Sequence, residues 1–276
     1  MSAAGGLPAA DVTGRMAMFG RLFGEEVGIP EPSALPSATD LVRAVKERVP
    51  REGVADEAPV LEAAAFVGEW LRARAEAIWV AEMGQEPMLQ LVDASRAIVH
   101  LLPVIHVVRT AATAGYDGLA AMLDAILQDV SRPASRGPLA ALRVVPEADR
   151  PAIVAWTQRH RGVRDATRAA LWRRCQLCAS TQEDALTMQH VAGDWEAEAA
   201  MAASILARRP FSCACGGPAG DTTRFLMLRH DEDEGERLCE IRASNASSRV
   251  ACWRLVGEDV EPYDATTFRA EGPGMG

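Results

Sequence analysis

Lysine is almost absent from this chain of 276 residues. Lys46 is the only lysine, and the other 28 of the 29 basic residues are arginine. A phosphate-binding loop of the G-x-x-x-x-G-K type needs a glycine directly before its lysine, but Val45 precedes Lys46, so this mode of nucleotide binding is excluded. Schiff-base chemistry would have only Lys46 available as its amine.

Long apolar runs are missing as well. The longest apolar stretch, Ala97–Val108, covers 12 residues and contains His100, Pro103 and His106, whereas a transmembrane helix needs about 20 apolar residues. Residues 1–14 are small and polar, without the basic start and apolar run of a secretory signal. The sequence therefore predicts no membrane contact and a cytoplasmic location.

A basic excess is absent from both halves of the chain. The net charge of −9 divides into −5 for residues 1–145 and −4 for residues 146–276. A general nucleic-acid-binding protein carries the opposite balance. The sequence also lacks the G-x-S-x-G, H-E-x-x-H and G-x-G-x-x-G motifs of hydrolases, zinc proteases and dinucleotide-binding folds. Composition and motifs thus give no support to these enzyme classes.

The sequence predicts an α+β protein with two regions joined by a linker rich in proline, glycine and serine. The first region has helices on both sides of a β-hairpin, and the helix after it is predicted to open at Pro103 and stop at Gly115. The second is predicted as a helical hairpin followed by a small three-stranded antiparallel sheet of the zinc-ribbon type, stabilised by metal. The predicted boundaries are 1–37 for a lead-in that is irregular except for a short helix around Val12–Phe23, 38–130 for the α+β domain, 131–148 for the linker, 149–257 for the metal-stabilised region and 258–276 for a flexible tail.

Two helices and three strands are expected in the second region. Helical patterns cover Asp149–Arg174 and Ser180–Arg208, and the second of these begins with a capping-box motif. Runs with strand composition then alternate with polar turns. These runs are Thr222–His230, Arg237–Ala243 and Arg249–Leu255.

Cysteine does not occur before position 175, and the first four cysteines form two close pairs. Cys175 and Cys178 are separated by two residues, and Cys213 and Cys215 by one. Four thiolates from two short turns suit the tetrahedral coordination of Zn²⁺. In the reducing cytoplasm, such cysteines are more typical of metal ligands, buried thiols or redox groups than of disulfides.

These pairs resemble the knuckles of zinc-ribbon and zinc-knuckle proteins. The resemblance covers Cys175–Cys178, Cys213–Gly217 and the strands that follow. Ala179 stands where the common knuckle has a glycine, and a helix is predicted between the two knuckles. The resemblance implies that the four sulfurs are structural ligands of Zn²⁺, and it selects no particular biological function.

The predicted helix between the pairs creates a geometric problem. A straight helix over Thr181–Arg208 would hold its two ends about 40 Å apart at about 1.5 Å per residue. The two cysteine pairs could then share a metal only if the helix breaks, for which Gly193 followed by Asp194 is the candidate position.

The last two cysteines offer an alternative. Cys239 and Cys252 are symmetric about a turn at Asn245-Ala246, so they would face each other across a hairpin. They could complete a metal site with Cys213 and Cys215, or form a buried cross-strand pair of small apolar side chains. A redox role for the Cys175–Cys178 pair is a further alternative.

Arginines are concentrated between Arg159 and Arg174. On a helix, Arg161, Arg164 and Arg168 would share one face and could contact phosphates, which makes nucleic-acid binding an alternative function. The competing interpretation pairs these arginines with acidic residues of the next helix.

The leading functional prediction is a cytoplasmic binding or adaptor protein for another protein, with a structural zinc. A closed shell of four cysteines leaves no open coordination position, which argues against metal catalysis. A second alternative is an enzyme whose site combines residues scattered along the chain, such as His100 and His106 in a deep pocket.

Overall fold

The computed structural model describes residues 9–49, 57–81, 85–133, 136–142, 148–164, 166–189, 195–231, 233, 235–244 and 247–267. Within these ranges the chain separates into two compact units. Unit 1 consists of Met1–Ala94 and His100–Arg132, and unit 2 of Ser95–Val99 and Pro133–Gly276.

The described residues form seven α-helices and ten β-strands. The helices are α1 (Ala9–Glu26), α2 (Ala38–Arg48), α3 (Glu57–Arg72), α4 (Val104–Ala114), α5 (Leu119–Ser131), α6 (Arg150–His160) and α7 (Trp195–Ala207). The strands are β1 (Glu76–Val80), β2 (Met88–Val92), β3 (Ile98–Leu102), β4 (Gly137–Pro138), β5 (Ala166–Cys175), β6 (Thr181–Gln189), β7 (Ala219–Asp231), β8 (Gly235–Ala243), β9 (Ser248–Val256) and β10 (Asp259–Pro262).

Unit 1 is organised around α3, which packs against α1 and α4. Its residues from Ala63 to Gly68 are buried, together with Trp70 and Leu71. Strands β1 and β2 pair in the predicted antiparallel arrangement. Helix α4 starts after Pro103 and ends at Gly115, whose φ of +83° closes the helix in the left-handed conformation. This proline-first, glycine-last arrangement is the one expected from the sequence.

Unit 2 contains an antiparallel sheet in the order β9-β8-β7-β5-β6. Strand β10 pairs with β9, and the short β4 pairs with β10. One face of this sheet forms an apolar core with residues from α6, and Trp156, Trp172 and Trp253 are buried in it. The strands at the C-terminal end of the chain lie where the sequence predicts strands.

The predicted fold class is wrong, because in the described part of unit 2 the small three-stranded sheet is replaced by a larger antiparallel sheet, in which β5 and β6 extend β7, β8 and β9. The helical hairpin is also wrong. Asp149–Arg174 is helical only over α6 and continues as β5, and Ser180–Arg208 begins as β6 before it forms α7. The predicted break at Gly193 lies outside the described residues. Tertiary pairing in the sheet has overridden the helical propensity of both segments.

Segments predicted to be irregular contribute to the structure. In the lead-in, the short helix predicted around Val12–Phe23 is part of the longer α1, whose Phe23 is fully buried. In the predicted linker, Leu139 and Leu142 are buried in the core of unit 2. The predicted tail begins with β10, where Val260 is buried. None of the described helices combines the length and apolar character needed to cross a membrane.

Candidate metal centre

The two cysteine pairs meet at one end of the sheet of unit 2. Cys175 is the last residue of β5, and Cys178 lies in the turn that connects β5 to β6. Cys213 and Cys215 lie in the loop before β7. Because β5 and β7 are antiparallel neighbours, the end of β5 lies beside the start of β7, and Cys175 is paired with Ala219. Strand order therefore brings the two pairs together.

The four sulfur atoms form a compact cluster. The Sγ atoms of Cys175 and Cys215 are 3.4 Å apart, and those of Cys178 and Cys213 are 3.3 Å apart. All four lie within 4.8 Å of one another. Four thiolates around a tetrahedral Zn²⁺ with Zn–S bonds of about 2.3 Å have S–S separations of about 3.8 Å. The four cysteines are therefore close enough to bind one metal ion.

Each pair is shaped by a hydrogen-bonded turn. The amide of Ala179 donates to the carbonyl of Cys175 at 3.1 Å, and the amide of Gly216 donates to the carbonyl of Cys213 at 2.8 Å. Ala179 and Gly216 both have a positive φ, of +58° and +73°. Position 179 thus carries alanine in place of the usual knuckle glycine, but its backbone keeps the left-handed conformation that glycine favours.

Polar contacts hold the loop that carries Cys213 and Cys215 against the neighbouring strands. The buried guanidinium of Arg173 donates to Asp184 at 2.6 Å and to the carbonyl of Arg209 at 2.8 Å. The amide of Ser212 donates to the side chain of Gln182 at 3.0 Å. The loop before Cys213 is thus anchored by side chains of β5 and β6, which positions its two sulfurs.

The chain between the pairs leaves the site and returns to it. The nine residues of β6 cover about 30 Å at about 3.3 Å per residue. The 13 residues of α7 cover about 20 Å at 1.5 Å per residue and pack against β5 and β6. A strand followed by a helix therefore brings the chain back from Cys178 to Cys213. A straight helix over Thr181–Arg208 would have kept these two cysteines apart.

The thiols influence one another electrostatically. A hydrogen bond with Ser180 lowers the pKa of Cys178 to about 6 and also lowers the pKa of Cys213. The amide of Gly217 lowers the pKa of Cys215, but hydrogen bonds with the neighbouring sulfurs outweigh it and raise this pKa to about 12. The four thiols therefore do not all lose their protons readily when no cation is bound. A bound cation would neutralise the negative charge of the thiolates.

Gly217 leaves room for a sulfur. A Cβ atom at this position would lie 2.7 Å from Sγ of Cys175 and 2.9 Å from the side chain of Leu177. We expect Gly217→Ala to displace Cys175 and weaken metal binding about 10- to 100-fold. Competition with a chromophoric chelator measures this change. Gly14→Ala is the control, because Gly14 lies in α1 of unit 1 and a Cβ atom there would meet nothing within 4 Å; equal weakening in both variants would contradict the steric explanation.

Cys239 and Cys252 do not join the cluster. They are directly opposite each other in β8 and β9, in the predicted register, and form a disulfide with their Cα atoms 4.2 Å apart. The alternative set that combines them with Cys213 and Cys215 is therefore not formed. The expectation that the cysteines avoid disulfides is also corrected for this buried pair. The predicted turn at Asn245-Ala246 lies outside the described residues.

The predicted arginine face does not exist, because the segment is not one helix. Arg161 follows α6 and donates to Glu236 at 2.8 Å, whereas Arg168 lies on β5 and donates to Thr187. Arg164 is exposed in the connection between these two elements. Pairing with acidic residues is observed instead for Arg159 with Glu183, at 3.7 Å. The shared helical face on which the candidate anion site at Arg161, Arg164 and Arg168 was predicted is therefore not formed.

The two histidines of the enzyme alternative have different environments. His100 is buried in β3, and His106 is exposed on α4 next to Thr110. A surface depression of about 480 Å³ is lined by residues of α5 and contains neither histidine. This depression therefore does not unite His100 and His106.

Comparisons of the chain with protein-family models, curated proteins and solved structures gave no match. The functional argument therefore rests on the cysteine cluster and its surroundings.

Proposed function

We propose that the protein is a binding or adaptor protein for another protein, and that a Zn²⁺ ion held by Cys175, Cys178, Cys213 and Cys215 stabilises its unit 2. The observation that carries the proposal is the convergence of four free thiols from two turns. A metal with four cysteine ligands has no open position for water or substrate, and its role is structural.

The chemistry of the donor set favours zinc. All four donor atoms are thiol sulfurs, which select soft or borderline cations, whereas Mg²⁺ and Ca²⁺ prefer oxygen ligands. The cluster is held by the turns at Ala179 and Gly216 and by the contacts of Arg173, so the sulfurs are oriented by the backbone of unit 2. Zinc would supply charge neutralisation and a cross-link between the β5–β6 turn and the loop before β7.

The location and the partner are parts of the same proposal. A cytoplasmic location would keep the four cluster thiols reduced and available to the metal, while burial between β8 and β9 would shield the disulfide of Cys239 and Cys252 from reductants. The partner is proposed to be a protein because Leu177, between the first two cysteines, exposes 72% of its surface. Burial of this exposed apolar side chain against another protein would be favourable.

Metal analysis tests the proposal. Protein purified without added metal is expected to contain one zinc per chain by mass spectrometry, and Cys178→Ser and Cys213→Ser are expected to lose it. Cys239→Ser combined with Cys252→Ser is the control, because these residues are bonded to each other away from the cluster. A full metal content in the Cys213→Ser variant, or no metal in the unaltered protein, would refute the zinc site.

A further inference from the structure

Strand β6 lies at an edge of the sheet in unit 2, since β5 is the only described strand that pairs with it. The amide of Cys175 donates to the carbonyl of Ser180 at 2.8 Å. Because hydrogen-bonded and non-hydrogen-bonded pairs alternate in an antiparallel ladder, the even-numbered residues of β6 then make the hydrogen bonds with β5. The odd-numbered residues therefore direct their amides and carbonyls away from β5. The guanidinium of Arg209 accordingly reaches the carbonyl of Ala185 at 2.9 Å.

In the described part of the chain, this edge is open to another strand. Its outward-directed residues are all exposed; they are Thr181, Glu183, Ala185, Thr187 and Gln189. The strand contains no proline, and its register with β5 runs over nine residues without a bulge. Arg209 occupies one outward carbonyl, whose oxygen keeps a second lone pair. An edge of this kind offers a row of main-chain groups to a strand of another chain.

The pattern of charges along the edge fits a second copy of the same chain. Antiparallel pairing about a two-fold axis at Ala185 uses all nine residues of β6, whereas an axis at Asp184 or Glu183 would place like charges opposite each other. With the axis at Ala185, Glu183 lies opposite Thr187 of the second copy. Arg168 is opposite Thr187 in β5 and donates to its hydroxyl. The guanidinium therefore lies where the carboxylate of the second copy would arrive, and the axis forms this contact twice.

Both charges of this contact are available to a second copy. Glu183 makes an ion pair with Arg159 at 3.7 Å, and the side chain of Arg159 is exposed. Such a pair contributes about 0–1 kcal/mol, so little holds Glu183 in place. Within the described residues, Arg168 is bonded to Thr187 and makes no ion pair. A carboxylate from a second copy would give it an acidic partner.

Helix α7 provides a second contact across the same axis. It packs against both β5 and β6, and cross-strand pairing places its copy on the same face of the joined sheet. With strands about 4.8 Å apart, a helix above both strands lies about 10 Å from its copy, which is close to the distance of about 8–10 Å between packed helices. Met201 and Ile205, one turn apart, are exposed on α7. Since no charged residue occurs from Ala199 to Ala207, this contact would remove no charge from water.

We propose that the protein forms a two-fold symmetric dimer, in which β6 pairs with β6 of a second copy and α7 packs against its copy. The two sheets of unit 2 join into one, and the outward main-chain groups of β6 gain hydrogen bonds. Glu183 of each copy forms an ion pair with Arg168 of the other. The dimer goes beyond the proposed function, because it rests on β6 and α7 and requires neither the metal nor the contact at Leu177.

Analytical ultracentrifugation of the full chain as purified tests the proposal, and the mass of two chains is expected. Ala185→Pro removes an outward amide without removing a hydrogen bond to β5, so this variant is expected to have the mass of one chain. Met201→Glu is expected to weaken dimerisation at least about tenfold, because a charge would be buried against α7 of the second copy. Met18→Glu is the matched control, because Met18 is exposed on α1 of unit 1. Its dimerisation is expected to be unchanged.

Charge reversal separates loss of the interface from loss of the fold. Glu183→Arg and Arg168→Glu each place like charges at both contacts, and each variant is expected to dimerise at least about tenfold more weakly. An equal mixture of the two variants restores opposite charges at both contacts, so heterodimers are expected in native mass spectrometry. Misfolded chains would not recover in this way. A single-chain mass for the unaltered protein, a mixture without heterodimers, or a dimer that persists in Ala185→Pro would overturn the proposal.

Discussion

Removal of the metal is expected to destabilise unit 2 by about 5 kcal/mol or more. The free energy of zinc binding to a site made by folding contributes directly to folding, and it reaches about 10–16 kcal/mol in small zinc domains. In this protein the cysteines join the β5–β6 turn to the loop before β7. Without a cation, four sulfurs within 4.8 Å would repel one another once ionised.

Hydrogen exchange of the full chain with and without a chelator measures this effect. Peptides that contain Cys175–Ser180 and Phe211–Ala219 are expected to lose protection first, followed by the rest of β5 and β7. Peptides from α3 in unit 1 are expected to remain protected. Cys213→Ser without chelator should reproduce the exchange of the chelated protein. Unchanged protection of both knuckles after the metal has left would show that the metal has no structural role.

Gly68→Ala is expected to destabilise unit 1 by at least about 3 kcal/mol. Gly68 lies within α3, where a Cβ atom would be 2.0 Å and 2.6 Å from two ring atoms of Trp79. The ring cannot move away easily, because Trp79 is fully buried and its Nε1–H donates to Glu69 at 2.9 Å. Overpacking of a rigid aromatic contact is among the largest effects of a single methyl group.

Two measurements check this prediction: the free energy of unfolding from urea denaturation, and the hydrogen exchange of the amides of α3. Gly14→Ala is the matched control, because Gly14 is also inside a helix but a Cβ atom there would meet nothing within 4 Å. This control is expected to gain about 0.5–1 kcal/mol from helix propensity. A stability of Gly68→Ala equal to that of the unaltered protein would contradict the close contact. The zinc content of Gly68→Ala is expected to stay at one per chain, since the cysteines belong to unit 2.

The features predicted correctly from the sequence are mainly local ones. Cys239 and Cys252 were placed opposite each other because their positions are symmetric about a short turn. The limits of α4 followed from Pro103 and Gly115, which act on their own backbone. The approach of the two cysteine pairs was predicted from their chemistry, but the arrangement that achieves it depends on the order of β5 and β7 in the sheet.

The wrong predictions concern segments whose conformation is decided by distant partners. In β6, Leu186 and Met188 favour a helix by themselves, yet every described residue of this strand pairs with β5. Ser180 and Glu183 have the spacing of a capping box, but the hydroxyl of Ser180 lies 3.1 Å from the sulfurs of Cys178 and Cys213. Strand β5 is buried on both faces over Ala169–Arg173, so it lacks the alternation by which a strand is recognised.

Unit 2 is built from two separate segments of the chain, the short Ser95–Val99 and the long Pro133–Gly276. Ala97 and Ile98 are part of the apolar core of unit 2, and the carbonyl of Ala97 accepts a hydrogen bond from the amide of Cys252 at 2.9 Å. A DNA fragment that encodes only residues 133–276 would omit these residues and leave a gap in that core. We therefore expect a fragment limited to residues 133–276 to be less stable than unit 2 is in the full chain, because part of its core comes from the earlier segment.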